Sequence, residues 1–231
     1  MKTIGIVGGT GPESTIDYYR LIIASYRERV PDGSYPAIII NSIDLKKALD
    51  LLAADELAQL ARFLVDEVHR LARAGAEVGL LAANTPHLVF DEVARQSPIP
   101  LVSIVEATCA AAQALGLKRL GLFGTRFTMQ GRFYPDVFSR EGITLVTPEP
   151  DEQAYIHEKY MGELVPGIFL DETRARLMAI AERMKERDAI QGLVLAGTEL
   201  PLILREATVG CIPFLDTARI HVKAILEQAL S

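Results

Sequence analysis

The chain reads as an α/β protein of two similar, pseudo-symmetric lobes, each a mainly parallel sheet carrying helices. Three observations predict this. Short apolar runs alternate with amphipathic helical stretches along all 231 residues. Gly79-Leu-Leu-Ala-Ala-Asn-Thr-Pro-His87, an apolar run ending in small polar residues and proline, is repeated in grammar by Gly192-Leu-Val-Leu-Ala-Gly-Thr-Glu-Leu-Pro201. The echo extends to Lys2–Gly8 with Lys118–Gly124 and to Ile99–Leu101 with Ile212–Phe214. All the matches share an offset of about 115 residues, far beyond the unit length of a solenoid. The expected lobes are 1–100 plus 210–231, and 101–209. If they face one another, the two polar turns meet across an interlobe cleft, the natural place for a small ligand.

Taken in order, Thr3–Val7 is a first strand. It leads into Gly8-Gly-Thr-Gly-Pro-Glu-Ser-Thr15, after which Ile16, Tyr19, Ile22, Ile23 and Tyr26 recur at helical spacing. A glycine turn opening a helix presents backbone N–H groups and suits an anion, so Gly9 and Thr10 are candidate ligands. As a dinucleotide fingerprint it is poor, because Ser14 stands where a third glycine belongs. Ala37–Ser42 is a second strand, with Asp44, Lys46 and Lys47 at its exit, and Ala54–Ala74 is a long helix with Leu57, Leu60, Leu64, Val68 and Leu71 on one face and Gly75 as its stop.

At the first polar turn Thr85 is the expected N-cap and Pro86 the first helical residue. A helix over 88–94, a strand over 101–105 and a helix over 107–115 follow. The second lobe opens with a strand at Leu120–Phe123 and the turn Gly124-Thr-Arg-Phe-Thr-Met129, where Thr125 and Thr128 are either anion ligands or turn and cap residues. A helix over 134–139, a strand over 143–146 and helices over 151–164 and 171–185 lead to the strand that ends at Gly197-Thr198. A final strand and helix complete the chain.

Composition bounds the function. Hydrophobic residues make up 49% and charged residues 23%, ordinary values for a globular protein. A net charge of −6 with no basic stripe argues against nucleic acid and against anionic membrane as partners. No apolar run approaches the roughly 18 residues of a membrane span. The two cysteines, Cys109 and Cys211, have neither metal nor redox spacing and are expected to be inert packing residues, which fits a reducing cytoplasm. No metal is expected.

Five segments together resemble the aspartate/glutamate racemase family of cofactor-independent amino-acid racemases, over essentially the full length. They are Gly5-Ile-Val-Gly-Gly-Thr-Gly-Pro-Glu-Ser-Thr15, Ala83-Asn-Thr-Pro-His87, Gly124-Thr-Arg-Phe-Thr-Met129, Gly197-Thr-Glu-Leu200 and Asp216-Thr-Ala-Arg-Ile-His221. The resemblance implies two Rossmann-like lobes with the active site between them, a homodimer, no cofactor, and a small amino acid or carboxylate held by Gly9, Thr10, Asn84, Thr85, Thr125, Thr128 and Thr198. It also implies one catalytic thiol on each side of the substrate α-carbon. Here those two positions are Ala83 and Gly197, and neither a methyl group nor a hydrogen exchanges protons. A substrate-binding arginine of some members falls at Ala48, with Lys46 and Lys47 as nearby replacements.

Among titratable groups at these turns, Glu199 is the first candidate to serve instead, since desolvation can raise a carboxyl pKa into a useful range. Glu13 and His87 follow, although a histidine at the position of His87 more often packs or supports than acts as a base. The expected function is isomerase-type chemistry on a small amino acid or carboxylate without the two-thiol machinery. The alternatives are a carboxylate-binding relic or regulator without turnover, and a one-base lyase or decarboxylase.

Overall fold

Strands that are apolar throughout must be covered on both faces, and the observed strands satisfy this with helices. The computed structural model describes residues 1–204 and 211–231. The chain divides into two units, Met1–Ile104 with Ala218–Ser231, and Val105–Thr217.

The first unit contains β1 (Ile4–Gly8), α1 (Pro12–Arg29), β2 (Ile38–Ser42), α2 (Leu45–Ala53), α3 (Leu57–Arg73), β3 (Val78–Leu81), a 3₁₀ turn (Thr85–Val89), α4 (Phe90–Gln96) and β4 (Leu101–Val102). Helix α5 (Ile104–Ala114) carries the chain onward. The second unit contains β5 (Arg119–Gly124), α6 (Arg126–Gln130), α7 (Phe133–Arg140), β6 (Thr144–Val146), α8 (Pro150–Lys159), a π turn (Tyr160–Leu164), α9 (Asp171–Asp188), β7 (Gly192–Ala196), α10 (Leu200–Ile203) and β8 (Phe214–Asp216). Helix α11 (Thr217–Leu230) returns to the first unit.

Each unit has a four-stranded sheet, in the order β2-β1-β3-β4 and β6-β5-β7-β8, and every pairing is parallel. The two orders are the same once the second is renumbered, so the sequence repeat is a repeat of topology.

Burial explains why each strand reads as it does. β1, β3 and β7 are buried along their whole length, whereas β2 lies at the sheet edge and is only half covered. One face of the first sheet packs Ile4, Ile6, Val78 and Leu80 against Tyr18 and Ile22 of α1 and against Val222, Ile225 and Leu226 of α11. In the second unit Phe123, Leu193 and Leu195 pack with Ile156, Tyr160, Leu164, Leu177, Ile180 and Met184.

Several expectations are corrected. The buried side of α1 is Ser14, Thr15, Tyr18, Ile22 and Tyr26, while Ile16 and Tyr19 are exposed. Leu57 is likewise exposed at the start of α3. The segment 101–105 is not one strand: β4 ends at Val102 and α5 begins at Ile104, because the short strand pairs with β3 and then turns directly into helix. That pairing puts 101–104 in the first unit. Residues 211–217 belong to the second unit, since β8 hydrogen-bonds to β7.

Glycines in the strands let helices approach. A Cβ on Gly5 would come within 2.8 Å of Ala76 Cβ and 3.2 Å of Leu71 Cδ1, so the helix α3 end and its exit turn sit closer to β1 than any side chain permits. Gly5→Val is expected to destabilise the protein by about 1–3 kcal/mol through overpacking, read as a lowered urea midpoint; an unchanged midpoint would show that α3 moves away freely.

Candidate active site

In a parallel sheet the carboxyl ends of adjacent strands lie along one edge, and that is where the polar turns of this chain collect. In the first unit β1 and β3 are neighbours in register, with Val7 opposite Leu81. Gly9 and Thr10 therefore emerge beside Ala83, Asn84 and Thr85. In the second unit Gly124 is opposite Ala196, which brings Thr125 and Thr128 beside Gly197, Thr198 and Glu199.

Gly9 has φ of +82°, and a Cβ there would come within 2.6 Å of the Ile43 backbone nitrogen, so glycine is required. Its N–H donates to Thr15 Oγ1 at 2.9 Å, and Thr15 Oγ1 donates to Gly11 O at 3.1 Å. The Gly9 amide is thus committed to the turn. Thr10 Oγ1 is buried and has no hydrogen-bond partner among the described residues.

Asn84, rather than Thr85, occupies the cap position of the 3₁₀ turn, and it is helical in conformation. Pro86 stands in the first turn as expected. Asn84 is buried, and its carbonyl accepts from the His87 N–H at 2.9 Å.

His87 is engaged on both ring nitrogens. Nδ1 lies 3.0 Å from Ala83 O, which can only accept, and the Ile104 N–H donates to Nε2 at 3.2 Å. These partners fix a neutral ring with the proton on Nδ1. Burial, reinforced by the nearby His221, lowers its pKa from 6.5 to about 3. His221 has the opposite tautomer: Nε2–H donates to Val102 O at 2.9 Å, so Nδ1 accepts from Tyr18 Oη at 2.8 Å. Burial lowers it from 6.5 to about 4. The two rings meet edge to face and hold the junction of β4 and α5 from both sides of Ser103. The sequence had marked His221 only as part of a motif. Its role depends on Val102, 119 residues away.

In the second unit the Thr125 side chain caps α6, accepting from the Thr128 N–H at 3.3 Å, with the two hydroxyl oxygens 3.2 Å apart. Both threonines are buried. The cap role is therefore realised.

The β7 turn differs from its counterpart in the first unit. Glu199 is 1% exposed and Thr198 2%. Thr198 Oγ1 donates to Glu199 Oε2 at 3.0 Å, and Tyr160 Oη donates to the same oxygen. The Tyr160 ring also fills the space in front of Gly197: a Cβ there would overlap the ring and lie 3.0 Å from both Cζ and Oη. Tyr160 is buried, and burial together with the charge of Glu199 pushes its phenol well above the ordinary range. Tyr160 was missed in the sequence because it sits in the middle of what reads as one helix, 39 residues before its partner. The only hint was the side-chain-free residue at 197.

The other candidates have structural partners or lie in the open. Glu13 is exposed in the first turn of α1. Lys46 pairs with Asp50 and Lys47 lies over the Phe63 ring at 4.3 Å. Cys109 is buried on α5, where burial raises its thiol pKa. Cys211 is exposed with φ of +70°, so it is not the packing residue expected. Among the described residues no group of three or more His, Cys, Asp or Glu side chains is placed to hold a metal ion, and no helix is long and apolar enough to cross a membrane.

Twin parallel sheets with polar turns at their strand ends define an α/β protein whose candidate sites lie at the carboxyl ends of its strands, and comparison with known proteins names the family. The profile of the Asp/Glu/hydantoin racemase family matches residues 7–225, and the chain belongs to that family. It is 23% identical to the broad-specificity amino-acid racemase of Bacillus subtilis over 99% of this chain and 98% of that one. Among solved structures it resembles an aspartate racemase homologue from Pyrococcus horikoshii, with 35% identity and a TM-score of 0.85. It also resembles a Yersinia pestis protein classed with the Asp/Glu racemases, with 31% identity and a TM-score of 0.90. Both matches cover 100% of each chain.

The buried histidines make stability depend on pH. The unfolded chain takes up protons on both as pH falls through 6.5, whereas the folded protein resists until about 4 for His221 and about 3 for His87. Their stabilising contribution is thus complete above pH 6.5 and is lost on acidification, by at most about 1.4 kcal/mol per pH unit for each ring. The urea midpoint is expected to fall between pH 7.5 and pH 5, and to fall less steeply in His221→Gln; equal slopes in the two proteins would contradict the assignment.

Proposed function

We propose that this racemase-family protein binds a small amino acid or carboxylate with the turns at the carboxyl ends of its strands, and exchanges the α-proton by a route that uses no pair of thiols. Glu199 is its principal acid–base group. The observation that carries this reading is the buried carboxyl at the β7 turn, which receives hydrogen bonds from Tyr160 and Thr198. It lies two residues after Gly197, the position at which the family resemblance expects a thiol.

Supporting it, Ala83 and Gly197 offer nothing that ionises, and the buried Cys109 thiol is harder, not easier, to deprotonate than a free one. Thr10, Asn84 and Thr85 in the first unit, and Thr125, Thr128 and Thr198 in the second, form the proposed binding set, with Gly9 shaping the turn. The amino-acid substrate of the Bacillus subtilis relative agrees with a small ligand of this class.

A second reading, a carboxylate-binding protein without turnover, draws support from His87. Because both its ring nitrogens are engaged and its pKa lies near about 3, it is removed as an opposing acid or base at neutral pH.

The test is α-hydrogen exchange of L-aspartate, L-glutamate, L-alanine and L-lysine in D₂O, followed by NMR, with binding measured in parallel by saturation transfer. At least one of the four is expected to bind and to lose its α-proton, and the loss should survive iodoacetamide but vanish in Glu199→Gln. Binding without exchange would favour the second reading. Racemisation that iodoacetamide abolishes and Glu199→Gln leaves intact would overturn the proposal.

A further inference from the structure

The space that a side chain on residue 197 would need is already taken, and what takes it carries an ionisable hydroxyl. Tyr160 projects from the first position of the π turn, a local widening of the helix of the kind that recurs at functional sites. Its ring overlaps the ideal Cβ position of Gly197, and its oxygen lies 3.0 Å from that point. The same oxygen donates to Glu199 Oε2, which also accepts from Thr198. Tyr160 is 6% exposed and Glu199 1%, so the carboxyl is the inner member of the pair. Hydroxyl and carboxylate thus form a relay whose outer member stands at the position a side chain on 197 would occupy.

We infer that Tyr160 is a catalytic residue of this chain: its hydroxyl, backed by Glu199, stands in for the missing side chain at Gly197 as the group that exchanges a proton with the substrate α-carbon. The inference deepens the proposed function and rests on it. In the forward step the substrate's α C–H bond breaks and its proton passes to Tyr160 Oη. The proton that Tyr160 held passes to Glu199 Oε2 in the same step. The electron pair stays on the α-carbon and spreads into the adjoining carboxyl group, leaving Glu199 neutral and Tyr160 again a phenol. Reversal returns a proton to carbon and restores the carboxylate. No oxidant, metal or further reactant is needed. Burial and the Glu199 charge hold the phenol well above its ordinary range, so Tyr160 rests in the protonated form that the relay requires, and Glu199 is the site that gains a proton. The class of substrate is a small α-amino acid or α-substituted carboxylate bearing an α-hydrogen.

The discriminating variant is Tyr160→Phe, which keeps the ring in front of Gly197 and removes only the hydroxyl. Exchange of L-aspartate, L-glutamate, L-alanine and L-lysine in D₂O is measured as kcat and KM across pH, with circular dichroism melts as a check on folding. The expected result is a loss of kcat of about 100-fold or more, the range for one positioned acid–base group, with KM changed less than about threefold and a melt that stays cooperative while shifting down, since the buried Glu199 loses one of its hydrogen bonds. If kcat is retained and only the acid limb of the pH profile moves upward, Glu199 acts on substrate directly and the relay is wrong. If Tyr160→Phe unfolds, Glu199→Asp gives the second reading: the relay predicts loss of exchange on withdrawing the carboxylate from Tyr160, and retained exchange overturns it. Binding of the four amino acids with no exchange in the parent protein also overturns the relay, whereas failure of all four to bind overturns the proposed function itself.

Discussion

A carboxyl group taken out of water has to be hydrogen-bonded or neutralised, and at the β7 turn two hydroxyls meet that requirement at a single oxygen of Glu199. The surrounding architecture follows from satisfying it. Thr198 is adjacent in sequence and needs only the turn. Tyr160 has to be delivered from another element, and the π turn at the end of α8 delivers it. The ring that accompanies the hydroxyl then excludes any side chain from residue 197. Glycine at 197 is thus a consequence of the tyrosine that satisfies the buried carboxyl at 199.

The first unit solves the equivalent problem with histidine. At the β3 turn the chain carries a methyl group at Ala83, and the carbonyl behind it is held by His87, whose other nitrogen takes the Ile104 amide. His221 secures Val102 from the opposite tautomer. The result is a rigid turn with a neutral ring, chemically unlike its partner in the repeat. The two halves share a strand order but have diverged at their strand ends, one toward a carboxyl and a phenol, the other toward a scaffold of neutral imidazoles.

Much of this was legible in the sequence because the signals were local. Apolar runs ending in glycine or small polar residues marked β1, β3, β5 and β7, and the repeat at a constant offset announced the twin sheets. Thr125 was readable as a cap because its partner is three residues away. What escaped was long-range or depended on phase. The face of α1 was misjudged by one position because Tyr18, not Tyr19, reaches the His221 ring. The limits of the lobes shifted because two- and three-residue strands, β4 and β8, leave too short a pattern to assign before their pairing is known. Tyr160 was invisible for a further reason: a buried tyrosine in an amphipathic helix is ordinarily core, and nothing in linear order ties it to Glu199. Only the absent side chain at 197 registered, as a loss, when it was in fact space already filled.

That claim of filled space is tested most directly by a double-mutant cycle of Gly197→Ala with Tyr160→Ala, read as unfolding free energy in urea. If the ring occupies the position of a Cβ on 197, Gly197→Ala destabilises the protein by about 1–3 kcal/mol while Tyr160 is present and far less once the ring is removed, giving a coupling of about 1 kcal/mol or more. Strict additivity of the two changes would place the tyrosine elsewhere and contradict the account.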